Sequence, residues 1–211
     1  MNAFFNHRVH VAAIAILAAG SVSVVQAQST VTLDVTTARI MQRLGALAAD
    51  SMEGRRAGTP GSARARAYLV AELRAMGAKP IGESFVVPVT LRARAGSDTT
   101  GANIVARIPG KNSSGPVLVL SAHYDHLGVR NGEVFNGADD DASGCVALLT
   151  IAERLLREPP DHDVILAFFD AEESGMVGSK AFVKLMQQVR APLRCGQQLR
   201  FLKSHRAKWE L

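Results

Sequence analysis

DHDVILAFFDAEESGMVGS, residues 161–179, is the stretch whose reading decides the fold. The segment Asp163 to Phe169 is, after Asp163, apolar without a break through Val164, Ile165, Leu166 and Phe168. That pattern predicts a strand buried on both faces, as in a parallel sheet. The strand would deliver Asp170, Ala171, Glu172 and Glu173 at its carboxyl end. Immediately upstream, Ala142 to Arg157 places Val146, Leu148, Leu149, Ile151, Ala152, Leu155 and Leu156 on one broad apolar face. This spacing predicts a helix, which Pro159-Pro160 terminates. Before the helix, Val117 to Ala122 is a second β-rich run, and it delivers HYDH (123–126) at its carboxyl end. Strand, helix, strand at this spacing is a right-handed crossover unit of a partly parallel sheet. The polar residues therefore fall just beyond strand carboxyl ends, where open α/β sheets place their sites.

The flanking segments supply the rest of such a fold. Thr36 to Ala49 has the periodicity of an amphipathic helix, and GRRAGTPG (54–61) reads as a turn. A second helix is predicted from Ser62, as N-cap, to Met76, with Gly77 ending it. Ser84 to Arg92 reads as a strand, and Pro88 within it predicts an edge or a bulge. Ala102–Ile108 and Val117–Ala122, separated by Pro109-Gly110 and the residues to Pro116, predict a β-hairpin.

The 211 residues, 47% hydrophobic and 20% charged, are a globular composition able to bury one sizeable core. Residues 1–27 read as a secretory signal: His7 and Arg8, an apolar run from Val9 to Ala19, then Val25-Gln26-Ala27 before a cut at Gln28. That reading predicts a periplasmic or secreted protein with no stable membrane insertion after signal cleavage. Export permits a disulfide, but Cys145 lies in an apolar helical pattern that suits a buried thiol, so no bridge to Cys195 is expected. The net charge of +5 is concentrated in residues 184–211, which carry seven basic residues against Glu210; the remainder is close to neutral. The basicity thus belongs to a tail and gives no support to nucleic-acid binding.

Three segments carry chemistry: HYDHLG (123–128), NGADDDASG (136–144) and FDAEESGMVGS (169–179). Taken singly each has an ordinary reading. His123 alone suits a core histidine with a satisfied hydrogen bond, and Asp139 to Asp141 suit the start of a helix. Glu172 and Glu173 alone suit a solvated turn. Together they put a histidine, a dense carboxylate cluster and a Glu pair at adjacent strand ends, which is the ligand chemistry of a two-zinc hydrolytic site. Asp125, two residues after His123, is placed to accept from the imidazole, and adjacent carboxylates point in different directions, one toward metal and one toward substrate. His126 reads as an exposed turn residue.

These segments, with LAADSMEGRRAGTPGSARARAYLVAELRAMG upstream and NIVARIPG before the first metal-bearing strand, resemble the co-catalytic di-zinc aminopeptidases, metallopeptidase family twenty-eight. The resemblance runs from about Ile40 to about Val183. It implies an α/β, three-layer zinc-exopeptidase fold with a mixed, partly parallel central sheet, incomplete at the C-terminus, with residues 28–183 as the catalytic domain and 184–211 as an atypical basic tail. It further implies two zinc ions, with His123, Asp140 and Glu173 as ligands. Asp140 would bridge the ions across a cis Asp140–Asp141 bond, Asp125 would orient His123, and Glu172 would be the general base. The implied substrate is a peptide with a free N-terminus.

The family completes its site with a later Asp and a later His. Here the matching window holds Cys195, Gln197 to Arg200 and Lys203, and His205 comes too early. Each zinc would then keep two protein ligands, below the usual three. A truncated or frameshifted reading frame is therefore expected, with a sheet edge left uncovered and little or no turnover. Two alternatives keep the fold: a glutaminyl-cyclase-like zinc acyltransferase, and a non-catalytic remnant that binds peptide or metal.

Overall fold

The computed structural model describes residues 37–92, 98–189 and 200–201. The expected signal at 1–27, Cys195 and His205 lie outside them. Helix α1 (Thr37–Leu47) leads into a tight 3-10 stretch, Asp50–Arg55, in which Glu53, Gly54 and Arg55 all take positive φ. Helix α2 (Pro60–Ala75) begins three residues earlier than a Ser62 N-cap predicts. Thr59 caps it, accepting from the Ser62 N–H at 3.4 Å, while Ser62 itself is buried inside the first turn. The reason is Pro60, whose fixed φ suits the first helical position and whose missing N–H costs nothing there. Gly77 ends the helix at φ +83°, as expected.

Strands β1 (Lys79–Pro80), β2 (Val86–Leu91) and β3 (Thr99–Ile108) follow. Among the described residues strand β2 pairs only with β3, and Pro88 thus lies on an edge as expected. After β4 (Leu118–His123) comes a small hairpin, β5 (Gly128–Arg130) and β6 (Glu133–Phe135). The turn Ala138–Ala142 leads into α3 (Ser143–Arg157), then β7 (Val164–Phe169) and α4 (Val177–Val189). Strand β8 (Arg200–Phe201) pairs in parallel with the start of β4.

The main sheet runs β1-β3-β7-β4-β8, with β2 also on β3. The crossover unit forms as predicted: β4 and β7 are parallel neighbours joined through α3. The predicted β3–β4 hairpin does not form. Strand β7 inserts between the two, antiparallel to β3. The turn residues that suggested a hairpin are used differently. Lys111 and Asn112 donate to Pro160 and Asp161 carbonyls, and the buried Asp163 accepts from the Gly110 N–H and the Arg107 side chain. The loop is therefore tied to the entry of β7 instead of folding β4 back on β3.

Strand β7 is buried on both faces. Val164, Leu166 and Phe168 join one apolar cluster with residues of α2 and α3, including Leu69, Leu73, Val146 and Leu149. Ile165 and Ala167 join the other with Phe182 of α4. Helices on both faces of a mixed sheet make the three-layer α/β arrangement implied by the sequence. The 183/184 boundary of the expected tail falls within α4.

Candidate metal centre

Strands β4 and β7 are parallel neighbours, so their carboxyl ends bring HYDH and DAEE side by side, with His123 in register with Phe169. Asp125 joins them. It is fully buried, and its two carboxylate oxygens accept from the backbone N–H groups of Glu172 (3.0 Å) and Glu173 (3.3 Å). The Glu-Glu turn starts from Ala171 at φ +57°, a conformation that costs a non-glycine residue energy and that this buried framework holds in place.

His123 faces acceptors on every side. Its Nδ1 lies 3.1 Å from the Asp125 carbonyl oxygen and 3.6 Å from Oδ1, and its Nε2 lies 3.0 Å from Asp140 Oδ1. Burial disfavours the imidazolium, but Asp125, Asp141 and Glu172 outweigh it and push the His123 pKa to about 9. Glu172 is half-buried in the turn that follows β7.

The Asp run divides its labour. Asp141 is a local brace: it accepts from the His123 and Gly144 N–H groups, and its pKa is raised by burial. A side chain at Gly144 would collide with it, the nearest carboxylate oxygen lying 2.2 Å from an added Cβ. The bond between Asp140 and Asp141 is cis, as the resemblance implied. Asp140 turns the other way, toward the histidines.

His126 is the residue that the sequence reading missed. Its side chain is 11% exposed, and its Nδ1 lies 3.0 Å from Glu173 Oε1 without a geometrically acceptable hydrogen bond. His126, Asp140 and Glu173 offer donor atoms all within 4.8 Å of one another. Two donors on one tetrahedral zinc lie about 3.3 Å apart, and both His–carboxylate distances of 3.0 Å are close to that. The donor set, nitrogen and carboxylate oxygen with a buried ring nitrogen lacking a hydrogen bond, fits a zinc ion. Asp140 is common to His123 on one side and to His126 and Glu173 on the other. The expected ligands His123, Asp140 and Glu173 are thus brought together, with one donor more than expected. A signal for His126 was present in Gly137: at φ +55° its α-carbon lies against the His126 ring, which an added Cβ would meet at 2.5 Å.

A second residue outside the sequence reading holds these loops. Arg55 is fully buried, and its guanidinium donates to the carbonyls of Leu47, Tyr124, Asn136 and Gly137. It ties the end of α1 to two of the three chemical segments. Burial lowers its pKa, against the charges of Asp125, Asp141 and Asp140. Cys145 is buried and free, its thiol pKa raised by burial, and its Sγ donates to the His123 carbonyl.

A mixed sheet between helical layers, with histidine and carboxylate donors at the carboxyl ends of parallel strands, is an α/β fold with a donor set that suits a metal ion. Residues 103–199 match Peptidase family M28. The chain is 38% identical over 80 residues to a vacuolar membrane protease of Eremothecium gossypii, covering 38% of this chain and 7% of that one. It is 31% identical over 133 residues to a probable zinc metalloprotease of Pyrenophora tritici-repentis (57% and 26%), and 34% identical over 100 residues to leucine aminopeptidase 1 of Aspergillus oryzae (44% and 25%). Two solved structures share the fold. A glutaminyl cyclase of Fimbriiglobus ruber has TM-score 0.63 and 20% identity, over 75% of this chain and 58% of that one. A leucine aminopeptidase precursor of Bacteroides thetaiotaomicron has TM-score 0.55 and 24% identity, over 80% and 60%. Over residues 103–199 the chain is similar to the M28 peptidases. It spans about a quarter or less of the length of these sequence relatives.

One expectation is overturned. A periplasmic or secreted location followed from the apolar start, but relatives in Eremothecium gossypii, Candida albicans and Kluyveromyces lactis are named vacuolar membrane proteases, and those names contradict it. Hydrophobic onset alone does not distinguish a cleaved signal from other targeting segments. Among the described residues, no helix is long and apolar enough to cross a membrane.

Proposed function

We propose that this chain carries the catalytic domain of an aminopeptidase, residues 28–183, that removes N-terminal residues from peptides with a free amino terminus. The observation that supports it most is the shared position of Asp140. It faces His123 Nε2 at 3.0 Å and also belongs to the His126–Asp140–Glu173 group. His123 and Asp140 would hold one zinc, and His126, Asp140 and Glu173 a second. Zinc, when bound, supplies a Lewis acid that polarises a peptide carbonyl and acidifies a water. Glu172 is the general base: its carboxylate takes the proton of the attacking water and returns it to the leaving amine nitrogen. Asp125 fixes both halves of the site. Its carbonyl orients His123, and its carboxylate fixes the turn that presents Glu172 and Glu173. Burial of Asp125, and the near burial of the His123 side chain, strengthens their mutual electrostatics.

Zinc titration followed by calorimetry, with hydrolysis of leucyl-nitroanilide, tests this reading. Among the described residues one position has three side-chain donors and the other two, so two unequal zinc affinities are expected. Slow, chelator-sensitive release of nitroaniline should fall about a hundredfold or more in Glu172→Gln. Failure to bind zinc sinks the proposal. A second reading, cyclisation of an N-terminal glutamine, is favoured by the higher TM-score of the glutaminyl cyclase. Loss of ammonia from a glutaminyl peptide, with no nitroanilide hydrolysis, would select it.

A further inference from the structure

A cavity of about 340 Å³ opens beside the His126–Glu173 half of the metal centre. Its lining combines Asp125, His126 and Glu173 with Arg56 and Arg130. The acids of this cavity are already engaged. Asp125 accepts from two backbone N–H groups and Glu173 lies against His126. The arginines are not: among the described residues neither guanidinium has a carboxylate partner, and Arg130 lies over the Phe135 ring with its carbon 5.6 Å from the centroid. A stacked guanidinium keeps its in-plane N–H donors available and pre-oriented.

Both side chains are placed by local structure. Arg56 follows the buried, carbonyl-bound Arg55, so its backbone is fixed. Its aliphatic stem rests on Gly128 at φ +81°, where an added Cβ would meet Arg56 Cβ at 2.8 Å. Arg130 ends β5, whose pairing with β6 puts Phe135 opposite Gly128. Glycine at 128 is therefore what lets the two arginines share one cavity.

Resting on the aminopeptidase reading, we propose that Arg56 and Arg130 bind a carboxylate of the substrate next to the metal centre, so that this site takes short peptides carrying a carboxylate close to the scissile bond. The carboxylate is either the free α-carboxylate of a dipeptide or the side chain of an acidic first residue. Two planar forks at one cavity match carboxylate geometry, and hydrogen bonds to a charged group are the strong ones.

Calorimetric binding to the full chain, with and without zinc, decides it. Leu-Leu is compared with Leu-Leu-amide, and Glu-Leu-amide with Gln-Leu-amide. About a tenfold advantage for the charged member is expected in one pair, and the pair that shows it names the source. The advantage should shrink at high salt and disappear in R56Q and in R130Q, with R56K restoring part of it. No advantage in either pair, or one that persists in both glutamine variants, overturns the proposal. Should R56Q fail to fold by circular dichroism, the salt dependence and R130Q still decide. The guanidiniums are not metal ligands, so the zinc-free comparison separates this proposal from the aminopeptidase reading. Zinc binding and hydrolysis of Leu-Leu-amide without a carboxylate advantage would sink the arginine assignment alone. A carboxylate advantage without zinc binding would sink the enzymatic reading alone.

Discussion

Arg55 concentrates more of the site's architecture than any ligand does. Four backbone carbonyls from three segments converge on its buried guanidinium. Replacing it with methionine leaves those carbonyls without a donor, at a cost of at least about 3 kcal/mol; the urea midpoint of Arg55→Met should fall accordingly. Lysine is not a remedy, since one ammonium lacks the planar fork that spans them. Asp170 supplies a pH effect. It is fully buried beneath the Glu-Glu turn, bonded to the Ala102 and Ala171 N–H groups and to the Tyr124 hydroxyl, and burial raises its pKa above 3.8. Between 3.8 and its folded value the native chain binds more protons than the unfolded one. Its contribution is therefore complete below 3.8 and is lost as pH rises through the folded pKa. Denaturation midpoints across the acid range, wild type minus Asp170→Asn, should slope downward with rising pH; a flat difference would contradict the assignment.

The three helices on one face of the sheet are joined by a charged clamp as well as by their apolar stripes. Arg43 of α1 is 2% exposed and reaches Glu72 of α2 at 2.8 Å and Glu153 of α3 at 3.1 Å. Arg39 and Arg157 also meet Glu153, but their exposure leaves solvent to screen them. Glu153→Ala strips the buried Arg43 of one counter-charge and should cost about 3 kcal/mol by thermal or urea denaturation, whereas Arg157→Ala should cost under about 1 kcal/mol. The elements themselves were readable where periodicity is strong. The apolar run of β7 and the face of α3 appear in the structure within a residue of their predicted ends. The start of α2 differs because Ser62 and Thr59 are both good caps, and Pro60, which suits the first helical position, decides for Thr59. The β3–β4 hairpin was misread because turn residues show that the chain bends, not which strand it then pairs with.

At the level of the whole molecule, zinc should act as a folding ligand. The centre is assembled from three segments that no short peptide holds together, so ion binding favours the native state alone. At a free zinc concentration a hundredfold above the dissociation constant the gain is about 2.7 kcal/mol. For a chain of this size that corresponds to a rise of roughly 5–10 °C in Tm. Differential scanning fluorimetry with zinc, and then with chelator, should show that rise and its reversal; Gly137→Ala, which drives a methyl into the His126 ring, should diminish it.

The sequence by itself determined the layer architecture and the class of chemistry. Apolar periodicity is local, and residues just past a strand lie at the sheet's carboxyl edge whatever surrounds them. His123, Asp125 and the Glu172–Glu173 pair could be picked out on that ground, whereas the choice of Asp140 within the Asp139–Asp141 run rested on the resemblance to di-zinc aminopeptidases. Only the tertiary structure decided that β7 divides β3 from β4, that His126 turns inward over Gly137, and that Arg55 braces the loops. Each depends on a partner far along the chain or on a left-handed backbone turn. A side chain's direction out of such a turn is set by what it packs against, and spacing carries no record of that.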